Sequence, residues 1–265
     1  MKRHTITAYF LLAYVFSWCV YVPMALSAHN LTPSLPGWLH FAGAFGPLLA
    51  ALLVTAATGG RCALRELLGR ILRWRVSWRW WLAALLSPGL LLLVSALILR
   101  LVLGSWPDIH SFGKITELPQ LPWWAVWLVW TLTFGLGEEV GWRGFALPRL
   151  QNRHSASKAT LVLGLLWAGW HIPTFFYNYE LSLFSVAAFL VSILSGAVVL
   201  TWLYNSSGGS VLMTILWHGA FNTAVAGGEG MLSALVSAFI ILAAILIGRR
   251  YGSENLSAQP RHLVR

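Results

Sequence analysis

Apolar and polar positions alternate in long blocks along this chain. About eight apolar stretches, near 7–27, 37–57, 81–103, 121–138, 158–177, 184–204, 210–226 and 231–248, are separated by short polar connectors. Each is close to the roughly 20 residues an α-helix needs to cross a bilayer. The pattern therefore predicts an all-α polytopic bundle, a single membrane domain over 1–265. The connector 61–79 breaks the pattern. Leu64, Leu67, Leu68, Ile71 and Leu72 recur there at helical spacing, Arg61, Arg65, Arg70 and Arg73 edge them, and Trp74, Trp78, Trp80 and Trp81 follow. This period predicts an amphipathic helix in the interfacial plane, with its arginines on anionic lipid. Arginines interleaved with tryptophans also suit single-stranded nucleic acid, but a segment tethered between two spans favours the membrane surface, so no nucleic-acid partner is expected. The tail 251–265 is polar and is expected to be disordered.

Composition agrees with the pattern. Hydrophobic residues make up 58% and charged residues 10%, against about 25% charged in soluble domains, and the mean hydropathy is +0.70. The net charge of +10 is an orientation signal. When alternate connectors are assigned to the amino-terminal side, every basic residue except Arg100 and Lys114 falls there, from Lys2 and Arg3 to Arg261 and Arg265. The positive-inside rule then puts both termini in the cytoplasm. Met1-Lys2-Arg3, an apolar run and Ala25-Leu26-Ser27 imitate a signal peptide, but the length of the run, Trp18 and Pro23 predict a retained span. Cys19 and Cys62 offer neither a disulfide framework nor a CxxC pair. No solenoid-range repeat and no matched broken segments of an inverted-repeat transporter are present.

Against this background two acids stand out. The chain has 8 Asp and Glu residues, and Glu138 and Glu139 sit side by side at the end of a tryptophan-rich apolar stretch. A charge at membrane depth costs roughly 2.5–3.5 kcal/mol on insertion scales and marks a functional site by default. Glu139 and Arg143 are spaced i,i+4, the favourable order for an ion pair. Glu138 is turned about 100° away around the helix, so one arginine does not serve both. Glu139 therefore reads as structural and Glu138 as the base; the competing reading makes both helix-end residues snorkelling to the interface.

Two further apolar stretches carry polar groups. His171 lies in Trp167-Ala168-Gly169-Trp170-His171-Ile172-Pro173, where Pro173 leaves a carbonyl without its usual donor. His218 and Asn222 are i,i+4 and share a helix face, with Gly169, Gly219 and Ala220 permitting close helix approach. The remaining histidines, His4, His29, His40, His110, His154 and His262, fall in loops, ends or tails and are assigned no role. A carboxylate base, two histidines and an amide can activate water and stabilise an oxyanion, which points to hydrolysis of a carbonyl compound. Zinc is the rival. A dispersed set of Glu138, His171 and His218 could hold it, although no HExxH occurs and Asn222 is a poor zinc ligand.

Together, Glu-Glu-x-x-x-Arg, an aromatic-x-x-x-His helix and His-x-x-x-Asn, in that order over 120–226, resemble the CPBP family of intramembrane proteases. That family includes type II CAAX prenyl endopeptidases, bacterial relatives tied to bacteriocin self-immunity, and the Abi proteins. The resemblance implies that Glu138 activates water, His171 helps position it, and His218 and Asn222 form an oxyanion hole, with Glu139 and Arg143 completing the first motif. The second motif often begins with phenylalanine; Trp167 here reads as a conservative aromatic swap. The expected protein is a glutamate-dependent intramembrane endopeptidase near the cytoplasmic leaflet of a bacterial plasma membrane, needing no cofactor. Its substrate would be a membrane-associated peptide, prenylated or bacteriocin-related. A proton-coupled transporter and a non-catalytic membrane scaffold are the alternatives.

Overall fold

The computed structural model describes residues 4–108, 110–179, 181–228 and 230–264. Lys2, Arg3 and Arg265, used in the charge count, lie outside them. Among the described residues the secondary structure is helical, without strands. Eight long helical stretches run antiparallel: α1 (Thr5–Ala28), α2 (Gly46–Ile71), α3 (Trp78–Leu103), α4 (123–151), α5 (Ala156–Trp170), α6 (Leu183–Ser206), α7 (Val211–Val225) and α8 (Gly230–Asn255). Six of them, α5 with its 3₁₀ extension to Phe176 and α2 with the short helical turns before it, are long and apolar enough to cross a membrane. The chain is an integral membrane protein.

The fourth and seventh stretches are the exceptions. Helix α7 is only 15 residues long. Helix α4 is a composite in which the turns Thr131–Gly135 and Val140–Ala146 are π-helical, alternating with α-helical Trp123–Trp130, Leu136–Glu139 and Leu147–Gln151. The expected span 121–138 therefore does not end at the glutamates. It continues to Gln151, and Glu138 and Glu139 sit in mid-helix, so the snorkelling alternative fails. π-Turns are rare and concentrate at functional sites.

Glycines seat α4 against its neighbours. A Cβ on Gly137 would lie 2.5 Å from the Ala44 carbonyl oxygen, and one on Gly141 would lie 2.5 Å from both the Pro47 side chain and the Tyr9 hydroxyl. On the other side, a Cβ on Gly219 of α7 would come within 2.1 Å of Thr131 Oγ1. With no hydrophobic force between helices in lipid, such close backbone approach holds a bundle together.

The two ends of the bundle differ in charge. At one end Arg70 donates to the Tyr204 hydroxyl at 3.4 Å and Arg73 to the Gly208 carbonyl, beside the connector of α6 and α7. The loop 104–122 occupies the other end, where the Gly113 amide donates to the Ala226 carbonyl at 3.0 Å. Of the basic residues described, only Arg100 and Lys114 belong to this second end.

The amphipathic helix expected at 61–79 is shorter. Two helical segments of α2 meet at Gly60, whose φ of 60° and ψ of −155° suit glycine, and the helix stops at Ile71. The connector 72–77 then links it to α3. Leu67 and Arg70 dock on the protein while Leu68 and Leu72 stay exposed, so the apolar period serves two surfaces.

The tail does not match the expectation of disorder. Helix α8 breaks at Gly252 (φ 70°), and the chain folds back over the basic end. Asn205 and Gln151 exchange side-chain hydrogen bonds of 2.8 and 3.1 Å, and then clamp the tail. Asn205 Nδ2 donates to the Asn255 carbonyl and Gln151 Nε2 to the His262 carbonyl, both at 2.9 Å. Ser206 adds a 2.9 Å bond to Ser257. The tail's polarity satisfies buried amides at helix ends, which composition alone does not reveal.

His262 supplies a pH test. Burial, with Arg70 and Arg73 nearby, holds its imidazole down at about 4 from an ordinary value of about 6.5. The folded tail thus favours the neutral ring. Its contribution is complete above about pH 6.5 and is lost as pH falls through the window to about 4. Hydrogen exchange of 255–264 should accelerate over that window, and His262→Gln should flatten the response.

Candidate active site

The site begins with a fully buried arginine. Arg143 is 0% exposed and its NH1 meets Glu139 Oε1 at 2.9 Å, the i,i+4 pair expected from the sequence. Its guanidinium carbon lies 4.5 Å from the centroid of the Trp167 ring on α5, a cation–π contact worth about 2 kcal/mol when desolvated. Nε and NH2 of Arg143 and Oε2 of Glu139 have no partner among the described residues. The pair therefore rests on one hydrogen bond plus the indole face.

Trp167 joins the two carboxylates. While its face carries Arg143, its indole N–H donates to Glu138 Oε2 at 2.5 Å, and Trp142 Nε1 donates to the same oxygen at 3.3 Å. Among the described residues Glu138 Oε1 takes no protein donor, although the residue as a whole is buried and lines the main cavity. A cation on an indole face polarises the N–H outward, toward the carboxylate. The tryptophan at the start of the second motif is thus not a neutral replacement for phenylalanine, which has no N–H to give.

The histidines are tethered differently. His218 Nδ1 lies 2.9 Å from Glu139 Oε1, opposite Arg143, so the structural carboxylate orients the histidine as well as the arginine. His171 Nδ1 lies 2.9 Å from the Trp167 carbonyl. A carbonyl only accepts, so Nδ1 of His171 carries the proton and Nε2 keeps its lone pair. Asn222, one turn beyond His218 on α7, lines the same cavity. Near Pro173, Trp18 Nε1 of α1 donates to the Trp170 carbonyl at 3.0 Å, tying the end of α5 to α1.

All four expected chemical residues, Glu138, His171, His218 and Asn222, line one cavity of about 590 Å³. His40 joins them, and sequence reasoning missed it. It is buried, stacks on Tyr21 at 5.2 Å, and its Nδ1 lies 2.7 Å from the Tyr177 hydroxyl. Its position after Trp38-Leu39 looked like a loop end; only the short helix His40–Gly43 turns it inward. Among the described residues no three His, Cys, Asp or Glu side chains are grouped to hold a metal ion. The alternative set of Glu138, His171 and His218 is therefore brought to one cavity without forming a ligand cluster.

Comparison with known proteins covers the same part of the chain. Residues 119–224 match the family model described as type II CAAX prenyl endopeptidase Rce1-like. The matched stretch is similar to that family over two fifths of the chain. It includes α4, α5, α6 and nearly all of α7, hence Glu138, Glu139, Arg143, Trp167, His171, His218 and Asn222, but not His40. A curated relative, CAAX prenyl protease 2 of Methanococcus maripaludis, is 35% identical over 92 residues, 32% of this chain and 34% of the relative. The similarity thus spans about a third of that relative's length, and the resemblance read from the three motifs is borne out. The matched stretch leaves α1–α3 and α8 outside it, yet Tyr21 of α1 and Ser237 of α8 also line the cavity.

Two substitutions separate the roles. Trp167→Phe keeps the ring beneath Arg143 and removes the donor to Glu138, so it should preserve folded protein in detergent while lowering turnover. Glu139→Gln removes the anion from a buried arginine, a loss of about 3–5 kcal/mol for such pairs, and should lower the apparent melting temperature and membrane abundance. Unchanged thermal stability in Glu139→Gln would contradict its structural role.

Proposed function

We propose that this protein is an intramembrane endopeptidase that hydrolyses a peptide bond of a membrane-associated substrate with water activated by Glu138. The observation that carries the reading is the orientation of Glu138. Two indole N–H groups occupy one carboxylate oxygen and leave the other for solvent, in a cavity shared with two oriented histidines and an amide.

Charge counting supports the division of labour. Arg143 pairs with Glu139, which leaves Glu138 without a cationic partner of its own and free to act as the base. Water in the cavity donates one hydrogen bond to Glu138 Oε1 and another to His171 Nε2. Glu138 takes a proton as the water oxygen bonds to the scissile carbonyl carbon. His218 and Asn222 donate to the resulting oxyanion. As the C–N bond breaks, Glu138 returns the proton to the leaving nitrogen. Glu138, His171 and His218 are each held by a hydrogen-bonded neighbour.

The relative's name speaks of prenylated substrates; here the substrate class is a proposal limited to a membrane-associated peptide. Both termini are assigned to the cytoplasm on the charge asymmetry, and the exposed Arg61, Arg65, Leu68 and Leu72 to the headgroup region, on anionic lipid. A proton-coupled transporter would need a polar path through both faces. Here Tyr9, Trp142 and Phe145, all 0% exposed, lie between Glu138 and the basic end.

Three variants and a metal analysis test the mechanism. Glu138→Gln should abolish peptide cleavage without reducing membrane accumulation. Asn222→Ala should cost about 100- to 1000-fold in kcat, the usual effect of losing one oxyanion donor, and Asn222→Asp should be more damaging because it sets an anion against the developing charge. Activity should persist after exhaustive dialysis against chelator. Stoichiometric metal whose removal ends activity and whose return restores it would overturn the glutamate mechanism; full activity in Glu138→Gln, purified free of host proteases, would overturn the assignment of Glu138 as the base.

A further inference from the structure

A third histidine reaches the cavity and takes no part in the proposed hydrolysis. His40 is buried, and three rings hold its imidazole. Tyr21 stacks on it at 5.2 Å, Phe134 lies at 5.3 Å, and Tyr177 meets it edge-on at 5.6 Å. Phe134 is four residues before Glu138 on α4, so this imidazole sits about one helical turn from the base. The fit beside it is close: a Cβ on Gly43 would fall 2.1 Å from the Tyr21 ring. Nδ1 of His40 lies 2.7 Å from the Tyr177 hydroxyl. Nε2 meets no donor or acceptor among the described residues, yet it is open to the space beside it.

That ring stands where two hollows meet. Beside the cavity of Glu138 lies a second hollow of about 450 Å³, and His40, Thr116, Glu117 and Asn178 line both. The second hollow is polar. Met24 is its one aliphatic side chain and Glu117 its one carboxylate, while Lys114 lines the first cavity and not the second. Among the described residues Glu117 forms no ion pair. The spacing of the two hollows follows from the chain between His171 and Tyr177, the 3₁₀ extension Ile172–Phe176. Thr174 Oγ1 donates to the His171 carbonyl at 2.7 Å, and the Tyr177 amide donates to the Thr174 carbonyl at 3.2 Å. At about 2.0 Å per residue this turn sets Tyr177 roughly 12 Å beyond His171. An extended peptide covers that distance in roughly three to four residues.

We infer that the second hollow is a peptide subsite, roughly three to four residues from the bond that Glu138 hydrolyses, in which His40 Nε2 holds the main chain of the substrate and Glu117 selects a cationic side chain. A peptide group offers both an N–H and a carbonyl, so either tautomer of His40 finds a partner there, and the Tyr177 hydroxyl fixes the ring for it. A lysine or arginine of the substrate supplies the charge that Glu117 lacks. His40 and Glu117 both lie outside the matched residues 119–224, so sequence selection is separated along the chain from the groups that act on the bond. The inference rests on the protease reading for the position of the scissile bond; binding of a cationic peptide in the hollow stands without it.

Peptide scanning and peptide binding test the subsite separately from the chemistry. Full-length protein in detergent is given a quenched fluorogenic apolar peptide in which lysine, methionine or glutamate is placed in turn at successive positions on either side of the scissile bond. Lysine should be favoured over methionine by about fivefold in kcat/KM at one position roughly three to four residues from the bond, and Glu117→Gln should erase that preference. His40→Phe, which keeps a ring on Tyr21, should raise KM by up to about tenfold for peptides that reach that position, relative to peptides cut short of it. Tyr177→Phe, which releases the imidazole, should act in the same direction and serves if His40→Phe fails to accumulate in the membrane. A loss shared equally by long and short peptides would make His40 a packing residue, and a lysine preference that is absent or survives Glu117→Gln would overturn the subsite. For the second arm, fluorescence anisotropy follows binding of the same peptides, dye-labelled, to Glu138→Gln protein. The long lysine peptide should bind more tightly than the short one, and the difference should vanish when Glu117→Gln is added. That pattern, with no cleavage by the unaltered protein, would count against the peptidase reading and leave the subsite in place; equal binding of long and short peptides would overturn the subsite.

Discussion

A guanidinium with no access to water must be compensated by its surroundings, and Arg143 sets that requirement at the centre of this bundle. Glu139 answers it with a charge and Trp167 with a π face. Both answers have consequences beyond the arginine. The glutamate also accepts from His218, and the tryptophan also donates to Glu138. Two groups that stabilise a buried cation are thereby the groups that orient Glu138 and one histidine. Removing the cation would release both.

This coupling needs α4, α5 and α7 to be held at fixed separations, and small residues do the holding. Gly137 and Gly141 press α4 against the segment around Ala44 and Pro47, and Gly219 presses α7 against Thr131. The π-turns on either side of the glutamates widen the helix where α4 must present two carboxylates to different partners. Aromatic rings fill what the close backbones leave: Tyr9, Phe145 and Trp142 pack on one side of Glu138, and Trp167, Trp170 and Phe221 line the cavity on the other.

Much of this was legible in the residues. The apolar blocks gave the spans, and the i,i+4 spacings of Glu139 with Arg143 and of His218 with Asn222 gave faces that the helices confirm. Three things were hidden, each for a physical reason. The continuation of α4 past Glu139 was obscured because a run of Gly, Trp, Arg and Pro reads as the end of a span when its partners are unknown. The inward turn of His40 depends on a four-residue helix whose packing comes from α1 and α4. The docking of the tail depends on Gln151 and Asn205, two amides far apart in sequence that carry no pattern of their own. Local periodicity reports which face a residue occupies; it does not report which neighbour will be there.

That Arg143 and Glu139 belong to the same helix bears on how the protein is made. The helices enter the membrane in chain order, and α4 arrives before α5 and α7 have been synthesised. A lone cation or anion in that segment would meet hydrocarbon at a cost of roughly 2.5–3.5 kcal/mol with its eventual interhelical partners still missing. An i,i+4 pair travels as its own counterion, so the segment carries its neutralisation through the translocon. Trp142, also on α4, provides Glu138 with a first donor during the same passage. The later helices then inherit a pre-paired core, and biogenesis and chemistry are served by the same four-residue spacing.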